Sequence, residues 1–208
     1  MCNLYRLKKS QSEVELFFNA LGNLKGANIN EEVFPGYPGL TVADNQLKKM
    51  TWGFPFYGRG KNGQRLKPRP VNNARTDKLS SPFWRSSFQK RRCLIPITAW
   101  AEAEGPSGNK NRTWLSLRND PLFACAGVWK KSEEWGDCYS MIMTESSGDV
   151  SEVHNRMPVI LSHEDYDLWT GGSPAEALDI CRPWLGPVSV QRTDQPWSSK
   201  SGVDRLLL

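Results

Sequence analysis

The 208-residue chain predicts a single α+β domain, strand-rich, with a curved, largely antiparallel, barrel-like sheet and a few short helices. Three observations lead there. Short apolar runs such as Cys93–Ile97 and Tyr139–Thr144 recur along the chain, at a length that suits buried strands and falls short of a helix. Clusters of Pro, Gly, Asn and Asp punctuate them, as at 35–39, 44–45 and 119–121. Helical patterning is confined to brief segments that do not alternate regularly with the strands, which argues against a doubly wound parallel sheet. No internal repeat or long linker divides residues 1–208, so one domain is expected.

In order along the chain, residues 3–7 form a first short strand. Ser10 and Glu13 have capping-box spacing ahead of Val14, Leu16, Phe17 and Leu21, with Gly22 after them, which predicts an amphipathic helix closed by a glycine. Leu40–Val42 and Leu47–Trp52 flank Asp44-Asn45 as arms of a hairpin. Residues 57–70 are rich in Gly, Lys, Arg and Pro and read as a basic surface loop. Ser81-Pro82 supplies an N-cap and a first helical position for a helix running through Trp84 and Phe88 to Lys90. Cys93–Ile97 is a buried strand. Thr113–Arg118 and Leu122–Val128 read as a second hairpin about Asn119-Asp120-Pro121. Tyr139–Thr144, Pro158–Leu161 and Val188–Gln191 are further strands. Helices are expected from Ser162 with Asp165 and over Pro174–Cys181.

Hydrophobic residues make up 38 % of the chain, nine tryptophans among them, enough for a core without staples and too many for a disordered chain. The formal charge of +5 is compatible with a polyanionic partner without requiring one. Five cysteines, an odd number without C-x-x-C spacing, read as reduced thiols rather than a disulfide frame. With two histidines and no ligand-like spacing, neither a metal nor a cofactor is expected. The start of the chain lacks the apolar stretch of a signal peptide and no segment has a bilayer's length of apolar residues. The expectation is a cytoplasmic monomer without membrane contact.

Four features bear on chemistry. Cys2 follows Met1. If Met1 is removed, Cys2 presents an α-amine and a thiol on adjacent carbons, both partly nucleophilic near neutral pH. Such a 1,2-aminothiol condenses with an aldehyde to a Schiff base and closes to a thiazolidine, a reaction no internal cysteine can perform. On position alone, a small residue after Met1 is the favoured reading of Cys2. Asn73-Ala74-Arg75 emerges from the basic loop; an Asn amide can position a polar group and an Arg can grip phosphate in a bidentate pair, though Asn and Arg near Pro are also ordinary turn residues. Glu102 follows the apolar strand and Trp100, where burial would raise its pKa and suit it to proton transfer; Glu104 competes for that role. His154 titrates near neutrality, and Arg156 shares its face if the segment is extended. A lone histidine is more often structural, as His163 in a solvated first helical turn illustrates.

Together and in this order, these residues resemble the SOS-response-associated peptidase (SRAP) domain family, whose members protect abasic sites in DNA. The matching stretches are Met1-Cys2, Trp52-Gly53, Asn73-Ala74-Arg75, Arg91-Arg92-Cys93-Leu94-Ile95-Pro96 with Glu102, and His154-Asn155-Arg156-Met157-Pro158. The resemblance implies a β-rich domain with a positively charged groove for single-stranded DNA containing abasic sites. Cys2 would crosslink to the abasic sugar after loss of Met1, and Asn73 would orient the Cys2 terminus and the sugar. Glu102 and His154 would move protons, and Arg75, Arg156, Trp52 and Thr144 would contact DNA. The activities implied are self-crosslinking, self-removal of the leader and strand cleavage of the lyase type. Asn3-Leu4 stands where the family commonly has Gly-Arg, with Arg6 as a candidate substitute; Asp77 stands for a usual Glu, and Ala103 for a usual Trp. Two other functions use the same residues: a Cys2 amidohydrolase acting on a glutamine-like amide, and a non-covalent single-strand binder in which Cys2 is idle.

Overall fold

The computed structural model describes residues 2–22, 24 and 29–197; Met1, whose removal the sequence reading invokes, lies outside them. In chain order the elements are β1 (Tyr5–Arg6), α1 (Gln11–Phe18), β2 (Glu32–Val33), β3 (Pro38–Ala43), β4 (Gln46–Trp52), β5 (Phe54–Phe56), β6 (Arg69–Val71), β7 (Asn73–Arg75), α2 (Arg85–Lys90), β8 (Arg92–Ile97), β9 (Ala99–Glu104), β10 (Asn111–Leu117), β11 (Phe123–Ser132), β12 (Gly136–Glu145), β13 (Arg156–Pro158), β14 (Ile160–Leu161), α3 (Tyr166–Gly171), α4 (Pro174–Asp179) and β15 (Val188–Pro196).

Five strands close a barrel in the order β12–β4–β3–β8–β11 and back to β12. Every pairing is antiparallel except β12–β4. A second sheet, β15–β10–β9–β1–β2, packs against it. The β3–β4 hairpin forms as its sequence dictates: Asp44 and Asn45 both adopt positive φ, 54° and 56°, the geometry of a two-residue type I′ turn.

β8 and the buried stretches of β11 and β12 are covered on both faces, which is why they read as runs rather than alternations. Cys93, Ile95 and Ile97 of β8 join Met141 and Met143 of β12 in a cluster that includes Tyr5, Trp100 and Leu115 of the second sheet. Leu94, Ala124, Ala126 and Ile142 face the other way, into a cluster shared with Val14, Phe88, Trp169 and Ala177 of the four helices. Arg92 is buried and donates to the carbonyls of Phe88, Trp169 and Gly172, tying α2 and α3 to β8. Gly39 of β3 lies where a side chain has no room. A Cβ there would sit 2.1 Å from the Tyr5 hydroxyl and 2.2 Å from that of Tyr139, and these hydroxyls share a buried 2.5 Å hydrogen bond.

Several expectations need correction. α1 has its capping box at Ser10 and Glu13, but stops at Asn19 in the left-handed region (φ 46°) rather than at Gly22. Its buried residue is Val14, while Leu16 and Leu21 are each 85 % exposed. α2 begins at Arg85, after a turn in which Ser81 O accepts from the backbone N–H groups of Trp84 and Arg85. β10 and β11 are not a hairpin. β9 and β15 occupy both edges of β10, and Asn119-Asp120-Pro121 carries the chain from one sheet to the other. Pro158–Leu161 is two strands that break at Val159, because β13 pairs with β12 and β14 with β11. α4 ends at Asp179, and β15 runs on to Pro196.

Gly39→Ala should cost about 1–3 kcal/mol through overpacking against the two tyrosines. Urea unfolding would measure it, and a variant as stable as the parent would show that the tyrosine pair can move aside.

Candidate functional site

β12 collects the residues singled out in the sequence. Met141 pairs with Gly127 of β11 and, on the opposite edge, with Asn73 of β7. Two residues further on, Met143 pairs with Arg75 on the β7 edge and with Pro158 of β13 on the other. The Asn73-Ala74-Arg75 and His154–Pro158 segments, some eighty residues apart in the chain, therefore flank one strand.

Cys2 lies just before β1 and has no exposed surface. Its carbonyl accepts from Asn73 Nδ2 at 2.7 Å and from Asn72 Nδ2 at 2.9 Å. Its thiol lies 3.4 Å from the Leu4 carbonyl. Burial pushes the thiol pKa well up, and the negative charge of Glu102 adds to the effect. Burial thus disfavours the thiolate, and a nearby base favours attack by sulfur. Cys93, Cys125 and Cys138 are buried free thiols, as the apolar segments around them imply.

The structure separates the two acidic residues of β9. Trp100, Glu102 and Glu104 share a face and step from the core outward. Trp100 is 0 % exposed and Glu102 only 2 %, whereas Glu104 sits at the rim, accepting from Thr113 Oγ1 at 2.7 Å and Arg192 Nε at 3.1 Å. Burial raises the Glu102 pKa to about 7, the range in which a carboxyl both gives and takes a proton. His154 Nε2 lies 4.0 Å from Glu102 Oε2. The segment is not extended at His154. It follows a 3₁₀ turn over Gly148–Glu152, and the ring folds back so that His154 Nδ1 accepts from the Arg156 backbone N–H at 3.0 Å. Nδ1 also lies 3.2 Å from the Arg156 carbonyl, so this nitrogen accepts from the Arg156 N–H in one tautomer and donates to the carbonyl in the other. Burial, together with positive charges that include Lys110 and Arg156, holds the His154 pKa below the ordinary value.

The residues expected at DNA are placed unevenly. Arg75 is exposed and forms a bidentate pair with Asp77, at 2.8 and 2.6 Å. Arg156 is half-buried at the start of β13. Trp52 is wholly buried, packed edge-on to Tyr5 and stacked on Tyr139, so it stands behind the site rather than in a strand's path. Thr144, 5 % exposed, is likewise inside β12. Arg6 does not replace the missing arginine, because its guanidinium pairs with Glu32 at 2.7 Å and lies 3.7 Å over Trp114. A feature the sequence reading passed over is a cleft of about 420 Å³ beside Asn73 and Arg75, with Arg69, Lys78, Phe56 and Phe83 on its walls. Phe56 and Phe83 are 40 % and 37 % exposed. The signal was local: Arg69 pairs with Phe56 across β5–β6, in the stretch read only as a basic loop.

The closed barrel with its second sheet has structural counterparts. A protein from Bacteroides thetaiotaomicron superposes with a TM-score of 0.77 at 19 % identity, covering 92 % of this chain and 91 % of its own. One from Bordetella bronchiseptica superposes with a TM-score of 0.76 at 21 % identity, covering 92 % and 99 %. The chain belongs to the SOS response associated peptidase (SRAP) family, whose profile matches residues 1–193. It is similar to the abasic site processing protein YoaM of Bacillus subtilis, with 30 % identity over 135 residues. That match spans 61 % of this chain and 57 % of YoaM. An abasic site processing protein of Saccharomyces cerevisiae is 27 % identical over 148 residues, 66 % of this chain and 39 % of the yeast protein. Among the described residues no helix is long and apolar enough to cross a membrane.

The Glu102 environment has a measurable signature. The carboxyl holds its proton up to about pH 7 in the folded chain and only to its ordinary value of 4.5 when unfolded. The folded state therefore binds the extra proton between these values, and its stability falls as pH rises through that window. Glu102→Gln should escape this loss and gain on the parent from pH 4.5 to 7, with the full difference above pH 7, in urea unfolding across pH 4–8. A difference that does not change with pH would refute the buried-acid assignment.

Proposed function

We propose that this chain captures abasic sites in single-stranded DNA, forming a covalent thiazolidine through Cys2 once Met1 has been removed. The observation that carries the proposal is the convergence on Cys2 of Asn73, which holds its carbonyl at 2.7 Å, and of Glu102, whose charge acts on its thiol and which lies 4.0 Å from His154. The names of the similar bacterial and yeast proteins, abasic site processing proteins, support the same substrate.

The chemistry needs little else. An abasic deoxyribose is mostly a closed hemiacetal, and ring opening needs a proton delivered to the ring oxygen and another withdrawn from the 1-hydroxyl. Glu102, titrating about pH 7, and His154 beside it suit these two roles. The Cys2 amine then adds to the aldehyde, and one water leaves as the Schiff base forms. The thiol adds across the C=N bond, sulfur to carbon and its proton to nitrogen, closing the five-membered ring. Burial holds the thiol protonated, and the charge of Glu102 acts on it; Glu102 as carboxylate is the base in this reading. Cleavage of the Met1–Cys2 bond consumes one water and frees the amine. The Schiff base is also the species from which β-elimination would cut the strand, so ring closure protects the DNA by removing it.

Affinity in this reading comes from phosphates and is indifferent to sequence. Arg75 and Arg156 flank the reaction centre, and the cleft lined by Arg69, Lys78, Phe56 and Phe83 offers cations and aromatic faces suited to neighbouring nucleotides. A missing base leaves the sugar free to enter a pocket at low unstacking cost. One observation favours the alternative of non-covalent binding with an idle Cys2: that residue has no exposed surface.

Incubation with an abasic single strand should give an adduct that survives boiling in SDS, and Cys2→Ala should abolish it. Intact mass should equal the protein without Met1 plus the oligonucleotide less one water. A complex that dissolves in SDS would establish the non-covalent reading instead. Arg75→Ala and Arg156→Ala should each weaken binding and lower the slope of log affinity against log salt by about 1; an unchanged slope would remove that residue from phosphate contact.

A further inference from the structure

Two asparagines, not one, hold the Cys2 carbonyl. Asn72 Nδ2 donates to it at 2.9 Å and also to the Asn3 side-chain oxygen at 3.0 Å. Successive residues of a strand point to opposite faces, so neighbours reach one acceptor only where a strand is interrupted. Asn72 is the residue between β6, which ends at Val71, and β7, which begins at Asn73. Its backbone is pinned from two sides: its carbonyl accepts from Trp52 Nε1 at 3.0 Å and from the Met141 backbone N–H at 2.9 Å. Trp52 is in turn immobilised in the core between Tyr5 and Tyr139.

We infer that Asn72 is a positioning residue for the capture reaction, completing a relay from Trp52 through Asn72 to Cys2 and Asn3 that sets the plane of the Cys2–Asn3 peptide. The inference rests on Cys2 being the crosslinking residue. A chain terminus is ordinarily its least ordered part, and one hydrogen bond to a carbonyl leaves the peptide free to swing about that contact. A second donor, itself bonded to the side chain of the next residue, defines an orientation. Orientation of that peptide fixes where the Cys2 amine and thiol point relative to Glu102, and small misplacements at a reacting centre are costly to rate. The buried indole of Trp52 thereby contributes to the site without touching a substrate.

The test is single-turnover adduct formation over a range of abasic single-strand concentrations. Asn72→Ala should lower the saturating rate by roughly fivefold, the worth of a lost neutral hydrogen bond, while the half-saturating DNA concentration and the melting temperature stay at the parent's values. Asn3 is exposed, so Asn3→Ala folds regardless. It should slow the saturating rate by a smaller factor and add nothing to Asn72→Ala in the double variant, because it acts through Asn72. Saturating rates equal to the parent's in both variants, fully multiplicative losses, or a loss confined to half-saturation would each overturn the relay. Should Asn72→Ala not fold, Asn3→Ala alone decides: a slowed saturating rate supports the relay and a parental one overturns it. A parent protein that forms no adduct would remove the Cys2 reading and the relay together, whereas a reactive parent with unaffected variants would remove the relay only.

Discussion

Asn73, Arg75 and Arg156 are all held by one ten-residue strand, β12, whose two edges are both in use. Its first half closes the barrel between β4 and β11, and its second half carries β7 on one edge and β13 on the other. Backbone hydrogen bonding on both sides removes freedom from Asn73, Arg75 and Arg156 at once. A shift of register on the β7 edge would turn its alternate residues to the opposite face, taking Asn73 off the Cys2 carbonyl. The parallel contact of β12 with β4 and β7 is the unusual part of this arrangement, and it brings the segment after Trp52 back along the strand it has just helped to close.

The second organising feature is dryness. Glu102 lies at the edge of an apolar cluster that includes Trp100, Tyr5 and Cys2, and the same burial that raises its pKa also suppresses ionisation of the Cys2 thiol. The two effects belong together in the proposed chemistry. A thiol that stays protonated is shielded from adventitious oxidation, and a carboxyl that titrates about pH 7 is available to deprotonate it when substrate arrives. The rim is different in character. Glu104 with Arg192, Arg75 with Asp77, and Glu32 with Arg6 and Arg112 neutralise one another locally, and exposed pairs of this kind contribute little to stability.

Much of this was legible from local signals because local physics decided it. Ser10 and Glu13 cap α1 since a hydroxyl and a carboxylate three residues apart satisfy the same helix end wherever they occur. Asp44-Asn45 makes its hairpin since both residues tolerate positive φ. Cys2, Asn73, Glu102, His154, Arg75 and Arg156 stood out through the resemblance to the SRAP pattern, each being a weak signal alone. The unreadable parts depended on partners far along the chain. Asn119-Asp120-Pro121 marks a bend without saying which strands pair, so β10 and β11 looked like a hairpin. Leu16 and Leu21 had the spacing of a buried face, but α1 ends at Asn19 and only Val14 among them reaches the core.

From the sequence alone came the strand-rich class, the capped helices, the tight turn and the candidate chemistry of an amine and a thiol on one residue, since each is a property of a few adjacent side chains. Tertiary structure alone decided that Glu102 rather than Glu104 is the buried acid, that Trp52 supports the site from behind, that Arg6 is engaged by Glu32 and Trp114, and that Asn72 joins Asn73 at the Cys2 carbonyl. Each of these turns on which surface a strand buries and which atoms from remote segments meet there. Strand pairing between segments some seventy residues apart sets those contacts, and no local pattern encodes them.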